Sequence, residues 1–419
     1  MTTSEILENA KRIKGSAASM SAEQKTSALI NMAVAIEDDI EGILRANSAD
    51  LSAVRGIMSD VMIGRLSLNE EKVRNMAENM RAIAKLPDPI GAVTDEFIRP
   101  NGMTVKKVAV PIGVVAIIYE SRPNITADAA ALTVKSGNVC ILKIGKEAFL
   151  SARAIVNAMR KGLKKAGVSQ NIISLVEDTS RESVKEIISA VGYVDLLIPR
   201  GGKELISLCT ENAKVPCIQT GTGICHVYVD EFADEEKALN IIENAKCSRP
   251  SVCNAMEVCL IHKDIAENFL PRLHARIVSG RYEDAVKLRL DEKSFEILGG
   301  WNNCYKADEQ DFDTEFLDYV MAVKVVDSIK DAIAHISTHS TGHSECIVTE
   351  NEDNAKLFTK NVDSAAVYVN VSTRFTDGGE FGLIGEIGIS TQKLHARGPM
   401  GLMELCSYKY IITGDGQIR

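Results

Sequence analysis

Val114-Val115-Ala116-Ile117-Ile118-Tyr119, followed at once by Glu120-Ser121-Arg122-Pro123-Asn124-Ile125-Thr126, decides the fold. An apolar run without alternation does not suit a strand with one wet face, and this one stops at a polar turn. The pattern recurs at Val139-Cys140-Ile141-Leu142-Lys143, Ile172-Ile173-Ser174-Leu175-Val176, Val194-Asp195-Leu196-Leu197-Ile198 and His226-Val227-Tyr228-Val229, with helical stretches between. Such spacing predicts a parallel sheet covered on both faces across residues 111–230. Ligands of these sheets bind at the carboxyl ends of the strands. There the chain places Arg122, Lys143-Ile144-Gly145-Lys146, Pro199-Arg200-Gly201-Gly202-Lys203 and, beyond Val215-Pro216-Cys217-Ile218, Gln219-Thr220-Gly221-Thr222-Gly223. Gly-rich basic turns that open helices suit phosphate groups. Gly221-x-Gly223 has His226 where the dinucleotide fingerprint needs a third glycine, so a cofactor would be held differently.

The stretch with the most chemistry is Cys247-Ser248-Arg249-Pro250-Ser251-Val252-Cys253-Asn254-Ala255-Met256-Glu257. Pro250 disfavours helix at Arg249, and Met256 to Ile261 reads as a strand, so Cys253 falls in a turn. Arg249 favours the thiolate, the form that attacks a carbonyl carbon, and turn amides suit a developing oxyanion. A free cysteine is more often a small buried hydrophobe, and this chain has ten. Its neighbourhood singles out Cys253.

A chain of 419 residues with 45% hydrophobic content predicts two or three globular domains. No Cys-x-x-Cys pair occurs, and Cys247, Cys253 and Cys259 match no zinc-ligand spacing, which predicts reduced thiols and no metal. The net charge of −9 opposes binding to nucleic acid or anionic lipid. The beginning of the chain lacks a secretory pattern and no apolar run reaches membrane-spanning length, so a cytoplasmic protein is expected.

Residues 1 to about 86 read as helices, with Ser21 and Gln24 forming a capping box, and Leu86-Pro87-Asp88-Pro89-Ile90-Gly91 ends them. Asn101-Gly102 between extended segments predicts a hairpin. After a helix from Glu235 to Ala245, strands are expected at Met256–Ile261, Val320–Val326, Glu345–Thr349 and Ala365–Val369, a second α/β series with Cys253 at its entrance. The section from about 280 to 318 has weak periodicity and receives no element. Glycine at 378, 379, 382, 385, 388, 398 and 401 is costly to order, which favours a binding loop. Ser407 to Thr413 reads as a strand that could pair with the hairpin, in its own subunit or a neighbour.

Together the Cys253 segment, Glu120 to Thr126, Gly223-Ile224-Cys225-His226-Val227-Tyr228-Val229-Asp230 and Ser372 to Gly401 resemble the gamma-glutamyl phosphate reductase family. The resemblance runs in matching order from about residue 10 to the C-terminus. It implies an aldehyde dehydrogenase-like α/β fold, with two parallel-sheet α/β domains and a small β oligomerisation flap. The expected division is N-terminal helices of the cofactor domain (1–92), an oligomerisation hairpin (93–110), the cofactor-binding domain (111–230), the catalytic domain (231–370), a Gly-rich binding loop (371–404) and a C-terminal oligomerisation strand (405–419). The implied reaction is NADPH-dependent reduction of L-glutamyl 5-phosphate to L-glutamate 5-semialdehyde and phosphate through a Cys253 thioester. That is the second step of proline synthesis, in a homo-oligomer, with glutamate 5-kinase a candidate for channelling.

By the same resemblance Asn124 matches the oxyanion-hole asparagine, Lys143 a residue near the adenosine ribose, and Glu315 the glutamate that holds the nicotinamide ribose. Lys146, Gly201 and Gly202 complete the expected cofactor edge. A doubly anionic substrate in an acidic protein needs charge-assisted partners, which points to Arg122, His226, Arg249 and Arg374. Lys143-Ile144-Gly145 departs from the family's Arg-Gly-Gly, and Leu383-Ile384-Gly385 from its Leu-Gly-Ala. Gln219 stands about where hydrolytic aldehyde dehydrogenases place a general-base glutamate.

Overall fold

The structure, a computed structural model, describes residues 1–278 and 285–419. It divides into one unit of Met1–Thr220, Gly382–Gly388 and Pro399–Arg419 and a second of Gly221–Phe381 and Ile389–Gly398.

The first unit opens with helices α1 (Thr3–Ala18), α2 (Ala22–Asp38), α3 (Ile40–Val54), α4 (Asp60–Leu66) and α5 (Glu70–Lys85). The capping box forms as expected: Ser21 Oγ accepts from the Gln24 N–H, and Gln24 returns an acceptor to the Ser21 N–H. The sheet then follows as β3 (Val114–Tyr119), α6 (Asn124–Lys135), β4 (Val139–Ile144), α7 (Phe149–Lys165), β5 (Ile173–Leu175), α8 (Arg181–Ile188), β6 (Leu196–Arg200) and α9 (Lys203–Asn212), after strands β1 (Val93–Ile98) and β2 (Thr104–Pro111). Its order is β5-β4-β3-β6, all parallel, and every residue of β3 and β4 is buried. Helix α7 crosses α2 at Gly162, where a Cβ would come within 2.5 Å of the Asn31 carbonyl oxygen and Met32 Cα.

The Asn101-Gly102 hairpin is present, with Gly102 at φ +85°. Its second strand also receives β16 (Cys406–Thr413), antiparallel, from Cys406 opposite Pro111 to Thr413 opposite Thr104. The C-terminal strand therefore pairs within its own chain. The faces of this three-stranded sheet leave Phe97, Ile98, Tyr408, Tyr410 and Ile412 exposed.

The second unit runs β7 (Cys225–Val229), α10 (Glu235–Cys247), β8 (Met256–His262), α11 (Lys263–Ile277), β9 (Lys287–Leu290), α12 (Glu292–Leu298), β10 (Cys304–Lys306), β11 (Val320–Val326), α13 (Ile329–His339), β12 (Ser344–Val348), α14 (Glu352–Asn361) and β13 (Ala366–Val369). The seven strands are parallel in the order β10-β9-β11-β8-β7-β12-β13. Alternate residues feed two cores. Val227, Cys259 and Val323 pack on one face with Phe269 and Leu273, while Tyr228, Val258 and Leu260 pack on the other with Ile336 and Phe358. This two-sided burial is why the strands read as continuous apolar runs.

Two expectations are corrected here. Strand β7 belongs to the second sheet, between β8 and β12, and not to the cofactor sheet, because an apolar run buried on both faces fits the interior of either sheet and only its pairing partners decide between them. The section from 280 to 318 contains β9, α12 and β10, with residues 279–284 outside the described ones. The Gly-rich segment carries two short strands, β14 (Gly388–Ser390) and β15 (Gly398–Met400). Among the described residues no helix is long and apolar enough to cross a membrane.

Candidate active site

In the first unit β3 ends at Tyr119 and the chain turns through Glu120 to Pro123 into α6, whose first residue is Asn124. Tyr119 Oη and Thr126 Oγ1 lie 2.7 Å apart in the interior and tie helix to strand. Ser121 adopts φ +50°, unusual for a residue with a side chain, and Glu147 Oε1 accepts from both its N–H (2.9 Å) and its hydroxyl (3.0 Å). Backbone held in such a conformation concentrates at binding sites. Asn124 is exposed and Arg122 half-buried.

Beside this turn lies a cavity of 310 Å³ at the carboxyl ends of β3 and β4. Its lining combines the apolar Ile118, Val184, Leu205 and Leu208 with Ser180 and the charged Glu120, Lys143, Arg181 and Glu204. Lys143 is buried and its Nζ donates to the Ile144 carbonyl (3.2 Å); burial lowers its pKa, against the pull of Asp178 and Glu147. A side chain at Gly145 or Gly201 would displace a carboxylate: a Cβ would lie 2.3 Å from that of Glu147 at one and 2.4 Å from that of Glu120 at the other. The Gly202 N–H donates to Glu120 Oε2 (3.0 Å), while burial raises the Glu120 pKa. Lys146 is exposed. A cavity lined by apolar side chains with a few polar and charged groups among them, at the ends of parallel strands, fits the adenosine half of a nicotinamide dinucleotide.

In the second unit Cys253 occupies the turn between α10 and β8, closed by the Ala255 N–H donating to the Val252 carbonyl (3.0 Å), and it is half-buried. Its peptide is held from two sides. Gly223 approaches so closely that a Cβ there would sit 1.5 Å from the Cys253 carbonyl oxygen. The fully buried Cys225 donates its S–H to that oxygen at 3.2 Å. Burial, then the nearby Glu345, push the Cys225 thiol well upward, so it stays protonated and remains a donor.

The residue after the thiol is clamped as firmly. Asn254 Nδ2 donates to the carbonyls of Arg374 (3.2 Å) and Thr376 (2.9 Å), its carbonyl accepts from Thr373 Oγ1 (2.8 Å), and its Oδ1 accepts from the Arg374 guanidinium. Arg374 Nε also donates to Ser248 Oγ (3.2 Å). Burial and then the charge of Arg249 lower the Arg374 pKa, while Cys253 pulls it upward. Two guanidinium groups and the thiol therefore share one neighbourhood. Glu315, half-buried, accepts the Gly223 N–H at 2.7 Å and so joins the same cluster.

His226 does not. It has no exposed surface, its Nδ1 lies 3.0 Å from the Ile224 carbonyl and 3.2 Å from Glu345 Oε2, and its ring meets His335 edge-on at 5.5 Å. A side chain sealed into the β7 layer cannot meet a substrate, so its expected binding role gives way to a structural one. Residues that the sequence reading passed over are Cys225, Asn254 and the pair Lys246–Glu257. Glu257 carried a signal: a carboxylate inside the otherwise apolar strand Met256–Ile261 demands a buried partner.

Residues 2–291 match the aldehyde dehydrogenase family. The chain is 57% identical over 418 residues to the gamma-glutamyl phosphate reductase of Streptococcus suis (strain 05ZYH33), with 100% of both chains covered. It is 56% identical over 418 residues to that of Streptococcus pneumoniae serotype 19F (strain G54), covering 99% of each. Its fold is similar to the crystal structure of gamma-glutamyl phosphate reductase from Thermotoga maritima, with a TM-score of 0.96, 41% identity and 100% of both chains covered. An acetylating aldehyde dehydrogenase from Geobacillus thermoglucosidasius, 18% identical with a TM-score of 0.69, shares the fold alone.

Proposed function

The chain belongs to the gamma-glutamyl phosphate reductase family of aldehyde dehydrogenases, and from that premise we propose how its own residues carry the reaction. It reduces L-glutamyl 5-phosphate to L-glutamate 5-semialdehyde and phosphate with a nicotinamide cofactor. The observation that carries the residue assignments is the Cys253 turn, a half-buried thiol on an immobilised peptide with two guanidinium groups in its neighbourhood.

The cationic surroundings favour the Cys253 thiolate. It attacks the acyl carbon, the bond from that carbon to the phosphate oxygen breaks, and a thioester remains while Arg249 and Arg374 receive the departing phosphate. The reduced nicotinamide, when bound, supplies hydride to that carbon. Cleavage of the carbon–sulfur bond then frees the aldehyde and returns the thiolate. The Cys253 backbone N–H holds the carbonyl oxygen throughout, and the family resemblance assigns Asn124 the second hydrogen bond to it. Losing one such donor costs about a hundredfold or more in kcat. Arg122 pairs with the substrate's remaining anionic charge. Lys143 and Lys146 favour NADPH over NADH by pairing with its 2′-phosphate, and Glu315 accepts from the nicotinamide ribose. The exposed sheet of β1, β2 and β16 is the assembly surface of a homo-oligomer.

The test runs the reaction backward with glutamate semialdehyde, NADP and phosphate, omitting each in turn. The intact protein needs all three, and Cys253→Ala abolishes turnover while NADPH binding persists. Substantial activity in Cys253→Ala, or equal loss in Cys247→Ala or Cys259→Ala, rules out the assignment.

A further inference from the structure

Lys246 and Glu257 bracket the nucleophile's turn in sequence, one in the last turn of α10 and the other in the first residues of β8. Neither side chain has any exposed surface, and Lys246 Nζ lies 2.6 Å from Glu257 Oε2. The other carboxylate oxygen, Oε1, accepts the N–H of Leu317 at 3.2 Å. Leu317 holds φ +55°, a conformation costly for a leucine, and lies two residues after Glu315. Glu315 in turn accepts the N–H of Gly223, the residue whose backbone presses on the Cys253 carbonyl. One carboxylate therefore pins both ends of the thiol's turn to the loop that carries Glu315. A buried ion pair is a poor way to gain stability, since an apolar pair of similar volume usually serves as well or better. Its retention calls for another reason.

We propose that the Lys246–Glu257 pair is a positioning device, holding the Cys253 turn and the Glu315 loop at a fixed separation so that thiol and cofactor-ribose acceptor are set together. The proposal rests on the roles assigned above to Cys253 and Glu315. The experiment compares the intact protein with Lys246→Met/Glu257→Met and with Lys246→Glu/Glu257→Lys. The second variant keeps an ion pair but removes the carboxylate from the Leu317 N–H. Melting temperature, the rate of Cys253 alkylation by iodoacetamide, NADPH affinity by fluorescence, and kcat and KM are measured on each. The apolar variant should melt no lower than the intact protein, yet lose at least tenfold in kcat and bind NADPH several-fold more weakly, with an altered alkylation rate. The reversed pair should show the same losses. A folded variant of either kind with kcat and NADPH affinity within twofold of the intact protein overturns the proposal, and so does failure of both to fold, since the pair is then structural. Should the intact protein itself fail to turn over, the functional reading falls instead, while the alkylation and affinity comparisons still judge the pair.

Discussion

Gly223→Ala tests the architecture of the site most directly. The backbone at 223 is not in the left-handed region, so alanine is opposed there by space alone. Its methyl would start 1.5 Å from the Cys253 carbonyl oxygen and 2.5 Å from the carbonyl carbon, where ordinary contact begins at 3.4 Å. The two segments must therefore separate by about 1.9 Å (3.4 − 1.5) along that line. Both are main chain, so no side-chain rotation relieves the clash. A misplacement of about 1 Å in a reacting group can cost about a hundredfold in rate, so kcat should fall about a hundredfold or more. Overpacking costs about 1–3 kcal/mol, a lowered melting point rather than loss of fold. The Gly223 N–H also donates to Glu315, so the cofactor's KM should rise as well. Gly221→Ala is the comparison: its methyl meets only side-chain atoms, Thr391 Oγ1 at 2.6 Å and Cγ2 at 2.8 Å, which yield by a shift of that residue more readily than main chain does, and the loss should be smaller than that of Gly223→Ala. Both variants are assayed for NADP reduction with glutamate semialdehyde and phosphate, with folding checked by calorimetry. A folded Gly223→Ala enzyme with kcat within threefold of the intact one would refute the steric argument.

Gln219 offers no basic lone pair near pH 7, so the thioester should resist water and oxidation should depend on inorganic phosphate. Gln219→Glu should gain some hydrolysis; steady NADPH formation by the unaltered protein without phosphate would contradict this. Lys143→Ala/Lys146→Ala should erode NADPH preference mainly through KM, and equal use of NADH by the intact protein would sink the assignment. Deleting residues 405–419 removes β16 and bares β2, so light scattering should show at least a dimer for the whole chain and a shift toward monomer or aggregate after deletion. A monodisperse intact monomer at micromolar concentration refutes the assembly surface. Arg81 hydrogen-bonds Glu37 and holds its carboxyl below the ordinary value, with both groups about a quarter exposed. A depressed carboxylate adds stability above its unfolded pKa and loses it as pH falls through the folded one. Arg81→Met should cost about 0.5–1 kcal/mol near pH 7, and the gap in melting point should close in acid; a constant gap would exclude the linkage.

The turn that carries Cys253, the strand-end turns and the hairpin were legible because each depends on short-range rules. Proline and a following apolar run place Cys253 in a turn, and Asn-Gly fixes a hairpin whatever surrounds it. The section after residue 280 was illegible for the opposite reason. Strands β9 and β10 have four and three residues, too short for any period to emerge, and they are strands only because β9 lies alongside β11 and β10 alongside β9.

Local sequence determined by itself where each run is apolar, where it stops, and which thiol stands at a turn. It could not assign β7 to a sheet, since a parallel run buried on both faces carries no mark of its neighbours, and only pairing with β8 and β12 placed it. Tertiary structure likewise decided that His226 is sealed in the core, although the same imidazole at a strand end would be a fair ligand. The clamp around Cys253 is assembled from residues 223, 225, 254 and 373–376. Burial and close approach are properties of segments brought together from far apart in the chain, and they exist only once the sheet has closed.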